Sequence, residues 1–85
     1  MPEICRFYGI IITMYIPDHN PPHFHIRYND FHAIIDINTG KIKGEMPRQA
    51  LRLVYDWLDL HKEELLTNWH NIESGNPVMP IKPLE

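Results

Sequence analysis

The sequence predicts an α+β fold: a small antiparallel β-sheet of three to four strands, followed by one long C-terminal helix packed on one face. Two patterns carry that prediction. Residues 23–28 alternate strictly, with His23, His25 and Arg27 on one side and Phe24, Ile26 and Tyr28 on the other, the period of a half-buried strand. From Pro47 onward, apolar residues recur at three- and four-residue spacing, the period of an amphipathic helix. Length adds a third constraint. A chain of 85 residues hides only about 60–65% of the surface its unfolded form exposes, so splitting it would leave pieces too small for a core. The expected organisation is one domain over 1–73, with 74–85 a proline-bearing tail or docking arm.

The first strand is expected over Phe7 to Ile16, a run rich in β-branched and aromatic residues and nearly all apolar, so that both faces are covered. Pro17 ends it, and Asp18-His19-Asn20-Pro21-Pro22 is a stiff connection. Asn29-Asp30 suits a tight hairpin turn, since both residues tolerate positive φ. That turn pairs Tyr28 with Phe31, Ile26 with Ala33 and Phe24 with Ile35 on one face. On the other it pairs Arg27 with His32, His25 with Ile34 and His23 with Asp36. A short further strand is expected around Lys41 to Glu45. The helix is expected from Arg48 to Asn71, with Pro47 suited to its start and Ser74-Gly75-Asn76-Pro77 as its stop. Its apolar stripe is Ala50, Val54, Leu58, His61, Leu65, Trp69 and Ile72. Leu53, Trp57 and Leu60 form a second edge beside it, and Leu66 lies on the far flank. This surplus is explained by a deeper core, a docked tail or a subunit interface that would make the chain a homo-oligomer.

Composition narrows the function. A net charge of −3 and a pI near 6.0 argue against indiscriminate nucleic-acid binding while leaving room for a local basic patch. The single cysteine, Cys5, makes no internal disulfide and no thiolate metal cage, which points to a reducing, cytoplasmic setting. The apolar run from Gly9 to Ile16 is far shorter than the roughly 20 residues of a membrane helix, so no membrane association is expected. Met1-Pro2-Glu3 starts no basic and then apolar leader, so no export signal is expected either. The unusual count is six histidines, four of them between His19 and His32.

If the helix covers the Phe24/Ile26/Tyr28 face, the far face displays His23, His25, Arg27, His32 and Asp36 together, with Phe7, Ile11, Thr13 and Tyr15 of the first strand. Three readings fit. His23 and His25 on one side of a strand, with His19 or Asp18 adding a ligand, could hold a divalent metal, the one cofactor the residues suggest. A His23–Asp36 pair with Arg27 holding phosphate would suit acid–base chemistry on RNA, making His23, His25, Arg27 and Asp36 the catalytic candidates. Exposed strand histidines can also simply serve a protein interface. His61, within the helix stripe, is expected to be buried with a structural hydrogen bond, and His70 complements the helix C-terminal dipole. Arg52 has Asp56 four residues on. Arg48 has no such neighbour and is a candidate for binding phosphate or an acidic partner.

Arg6-Phe7-Tyr8-Gly9-Ile10, Met14-Tyr15 and Asp18-His19-Asn20-Pro21-Pro22-His23-Phe24-His25-Ile26-Arg27-Tyr28 resemble the small bacterial proteins of domain-of-unknown-function family 4160. So do Pro47-Arg48, Ala50-Leu51-Arg52-Leu53-Val54, Trp57, Leu60-His61, Glu64-Leu65 and Asn68-Trp69. The resemblance covers roughly Met1 to Asn71. It implies a toxin–antitoxin-like module, since such proteins are often encoded beside a member of domain-of-unknown-function family 2442, with this chain as the toxin and a small antitoxin-like protein as its partner. It transfers no catalytic residues. Tyr15, Asp18, His19, Arg27, His32 and Arg48 are therefore carried forward as candidate partner- or phosphate-binding residues. An RNA-directed hydrolase using His23 and His25, or a non-toxic accessory or regulatory binding module, stand as the alternatives.

Overall fold

The computed structural model describes residues 3–15 and 21–84. Five antiparallel strands follow one another in space as in sequence: β1 (Glu3–Phe7), β2 (Ile10–Thr13), β3 (His23–Tyr28), β4 (Phe31–Asp36) and β5 (Ile42–Glu45). A helix, α1 (Arg48–Glu73), follows them. The α+β architecture is as expected, with one more strand than the sequence suggests.

The extra strand comes from a turn hidden inside an apolar run. Tyr8 and Gly9 take positive φ of 49° and 79°, and the chain reverses so that Phe7 pairs with Ile10. Such a turn matches the right-handed twist of the strands it joins. The expected single strand over Phe7 to Ile16 is therefore corrected to a hairpin whose second arm ends at Thr13. The turn also corrects the placement of Phe7. Residues paired across a ladder share a face, so Phe7 follows the fully buried Ile10 beneath the helix, where its ring lies 5.6 Å from that of Trp57. A register shift between Glu3 and Cys5 lets Ile4 and Cys5 both turn inward.

β3 and β4 pair in the expected register, all six partners from His23–Asp36 to Tyr28–Phe31. β5 packs so tightly on β4 that Gly44, at φ 112°, leaves no room for a side chain. A Cβ there would meet the His32 carbonyl oxygen at 2.7 Å and the Ala33 Cα at 3.0 Å. Gly44→Ala is expected to cost about 1–3 kcal/mol through backbone strain and this clash, read as a lower urea midpoint. An unchanged midpoint would show that β5 can shift away from β4 without loss.

The helix runs two residues further than expected and stops at Ser74, whose amide donates to the His70 carbonyl, with Gly75 beyond it at φ 76°. It buries Ala50, Val54, Leu58, Leu65, Trp69 and Ile72 as the stripe predicts, together with Trp57 and Asn68. Trp57 is thus core rather than a spare edge, while Leu60 is 69% exposed. The helix kinks at His61 (φ −123°, ψ 20°). His61 is partly buried rather than buried as expected: its ring packs 5.6 Å from Trp57, and its Nδ1 lies 2.7 Å from a Glu64 carboxylate oxygen on the exposed side. Arg52 and Asp56, by contrast, are both exposed and form no ion pair among the described residues. No described helix is long and apolar enough to cross a membrane.

The segment after Gly75 runs back along α1 in the opposite direction. The Asn68 side-chain amide donates to the Met79 carbonyl and accepts the Met79 N–H, the Trp57 indole N–H donates to the Lys82 carbonyl, and the Ile81 N–H donates to the Ile4 carbonyl of β1.

Candidate functional site

The face of the sheet away from the helix is built by two rows of residues crossing all five strands. Ladder pairing places Arg6, Ile11, Arg27, His32 and Glu45 in one row. It places Glu3, Thr13, His25, Ile34 and Lys43 in the next. Since opposed residues share a face, β1 contributes two charged side chains that sequence reasoning missed. Their signal was the polar spacing of Glu3 and Arg6, which the register shift in β1 disguises. A shallow concavity of about 210 Å³ opens here, lined by Arg6, Thr13, Tyr15, Arg27 and His32 among others.

Arg6 lies against Glu3 at 2.8 Å, and the guanidinium holds the Glu3 carboxyl below its ordinary range. The same hydrogen bond raises Arg6. Arg27 is exposed, forms no ion pair with any described residue, and lines the concavity together with the Glu3–Arg6 pair. Cys5 lies on the opposite, buried side. Burial pushes its thiol up, away from the thiolate needed for nucleophilic chemistry.

The histidines form a connected line of rings. His25 and His32 stack with centroids 5.5 Å apart, and Nδ1 of the first is 3.3 Å from Nε2 of the second. Such a contact holds one proton between two nitrogens, one donating and the other offering its lone pair. Tyr15 meets His25 edge-on at 4.3 Å. His23 stands 5.4 Å from His25 and 5.0 Å from the helix residue Trp69. At this end of β3 the sharp division expected between a helix face and a histidine face breaks down, because Trp69 of the helix lies against His23.

The structure thus brings Tyr15, His25, Arg27 and His32 together. It does not join His23 to Asp36, although they are ladder partners. The His23 Nδ1 donates to the Pro21 carbonyl at 2.8 Å, and an Asp36 oxygen instead accepts the Asn38 and Thr39 amides at 2.8 and 2.9 Å. A carboxylate so placed ties the β4–β5 turn, as aspartates often do. Arg48 is exposed at the helix start, away from the ring line. Asp18 and His19 lie outside the described residues. Among the described residues no group of three or more histidines, cysteines or acids is arranged to hold a metal ion, and His19 belonged to the trio considered for one.

Fold and face define a small, helix-backed antiparallel meander with a decorated outer surface. The chain belongs to the family described as Domain of unknown function (DUF4160), whose model matches residues 9–70. The match begins at the first hairpin turn and ends within the helix, leaving β1 and the segment after Gly75 outside it. No curated protein and no solved structure matches the chain.

Proposed function

We propose that this chain is the toxin-like component of a cytoplasmic two-protein module and binds a small cognate partner on the outer sheet face. The observation that carries the reading is the exposed Arg27, in no ion pair with a described residue, beside His32 and Tyr15 in a concavity on the sheet face away from the helix. One sheet face buried by a helix and the other lined with rings and arginine is a composition suited to protein recognition. The resemblance described above supplies the expectation of a partner encoded nearby. The reading predicts growth arrest when the protein is expressed, relieved by co-expression of the neighbouring gene. Absence of any growth effect in the native host at any expression level would refute the toxin reading and favour a non-toxic accessory or regulatory module.

The His25–His32 contact favours a second reading, an RNA-directed hydrolase. Two imidazoles sharing a proton next to an arginine offer both a proton acceptor and a phosphate anchor. Purified protein would then cleave RNA, and a His25→Ala/His32→Ala variant would not. Equal cleavage by both would identify a contaminant.

A further inference from the structure

The two edges of the sheet differ. At β1 the chain's own segment after Gly75 meets the edge, where the Ile81 amide donates to the Ile4 carbonyl. At β5, Lys43, Gly44 and Glu45 are all exposed, and among the described residues no backbone hydrogen bond from outside the ladder reaches residues 42–46. In an antiparallel ladder alternate residues direct their N–H and C=O groups at the neighbouring strand, and the rest direct them away. The Asp36 amide donates to the Lys41 carbonyl, which extends the β4–β5 ladder by one residue and sets its phase. Lys43 and Glu45 therefore spend their backbone groups on β4, while Ile42 and Gly44 turn theirs to the open side. An edge left in that state is a template for another strand.

The side chains decide which strand fits. Lys43 and Glu45 both lie on the outer face, and neither forms an ion pair with a described residue. Such an edge resists strands in general and admits one that offers the opposite charge at each position. A second β5 does so in a single register. Centred on Gly44, antiparallel pairing sets Gly44 against Gly44, Lys43 against Glu45 and Ile42 against Met46. Sliding by two residues sets Lys43 against Lys43 in one direction and Glu45 against Glu45 in the other. Sliding by one puts the backbone groups out of phase and the side chains on the wrong faces. In the favoured register the residues that exchange hydrogen bonds are those whose backbone groups face outward, and no side chain stands at the Gly44 crossing. On the helix side, Ile42 and Met46 are half-buried against the core. Phe31, which the β4–β5 register carries opposite Met46, is 40% exposed, so the same pairing covers an apolar strip.

We propose that β5 is a self-recognition edge: two copies of the chain pair antiparallel about Gly44, with two Lys43–Glu45 ion pairs across the twofold axis. That axis stands perpendicular to the sheet, so both outer faces lie on the same side. The row of Arg27, His32 and Glu45 then continues into Lys43, Ile34 and His25 of the second copy, and the two concavities share one surface. The pairing does not depend on the toxin-like reading.

The test is sedimentation velocity on the full chain at low ionic strength. The wild type should show a reversible monomer–dimer equilibrium at concentrations below about 1 mM. Lys43→Glu and Glu45→Lys should each weaken the dimer by roughly tenfold or more, since each turns two attractive pairs into two repulsive ones. An equimolar mixture of the two variants should recover a heterodimer, and the double variant Lys43→Glu/Glu45→Lys should recover a homodimer. Such recovery is not open to a chain that has failed to fold. A wild type still monomeric at about 1 mM, a dimer indifferent to either reversal, or no recovery in the mixture and the double variant would each overturn the proposal. Hydrogen exchange supplies a second reading. With rising protein concentration the Gly44 amide should exchange more slowly, while the Lys43 amide, already bonded within the ladder, should not change. A Gly44 amide indifferent to concentration would equally overturn it.

Discussion

Trp57→Ala is expected to destabilise the protein by about 3–5 kcal/mol, the cost of emptying a fully packed aromatic site. Trp57 is completely buried, and its ring lies 5.6 Å from Phe7, 5.8 Å from Phe24 and 5.6 Å from His61. It therefore joins β1, β3 and the helix kink at one point. Its N–H also holds the Lys82 carbonyl, so truncation removes a hydrogen bond as well as core volume. Against a total stability of roughly 5–15 kcal/mol for a domain, the loss is large enough to unfold much of the population under mild denaturant. Trp57→Phe separates the two contributions. It keeps most of the ring burial and removes the N–H, at an expected cost of about 1–2 kcal/mol, and frees the arm near Lys82. Urea midpoints of the two variants check the account. A Trp57→Ala midpoint close to wild type would mean that this junction is not the core of the domain.

The second large effect is expected at Arg27, and in binding rather than in folding. Arg27 is exposed, forms no ion pair with a described residue and opens onto the concavity with Tyr15 and His32. Arg27→Glu should change stability by no more than about 0.5 kcal/mol, the usual range for a surface site free of special contacts. If the outer face takes the partner, the reversal should weaken the complex by about 2 kcal/mol or more, roughly thirtyfold, as for an arginine anchor at the centre of an interface. Calorimetric titration against the product of the neighbouring gene reads this directly, with Arg48→Glu as a comparison at the other candidate cation. A larger loss at Arg48 than at Arg27 would move the partner from the sheet face to the helix start.

Much of the sheet was legible because its governing signals are local. Strict alternation over His23 to Tyr28, with Asn29-Asp30 as the turn, leaves one register that keeps the apolar residues together, and the ladder adopts it. The first hairpin was illegible for the opposite reason. Tyr8-Gly9 is flanked by residues all apolar enough for one strand, and hydrophobicity carries no mark of the positive φ that reverses the chain there. Missing that turn hid β1, and with it the positions of Glu3 and Arg6 on the outer face. Asp36 shows the limit of local pattern: the alternation places it opposite His23, but two backbone amides of the next turn bond its carboxylate instead.

By itself, then, the sequence determined the class of fold, the β3–β4 register, the helix stripe and the gathering of His25, Arg27 and His32 on one surface. Period-two and period-3.6 patterns are properties of neighbouring residues, and they survive in any context that buries one face. Only the tertiary structure decided which apolar edge of the helix enters the core, that His25 bonds His32 while His23 turns to Pro21 and Trp69, and that the segment after Gly75 lies in a cleft of its own domain. Each of those outcomes depends on groups distant in sequence competing for the same space or the same proton, and no local pattern records who wins.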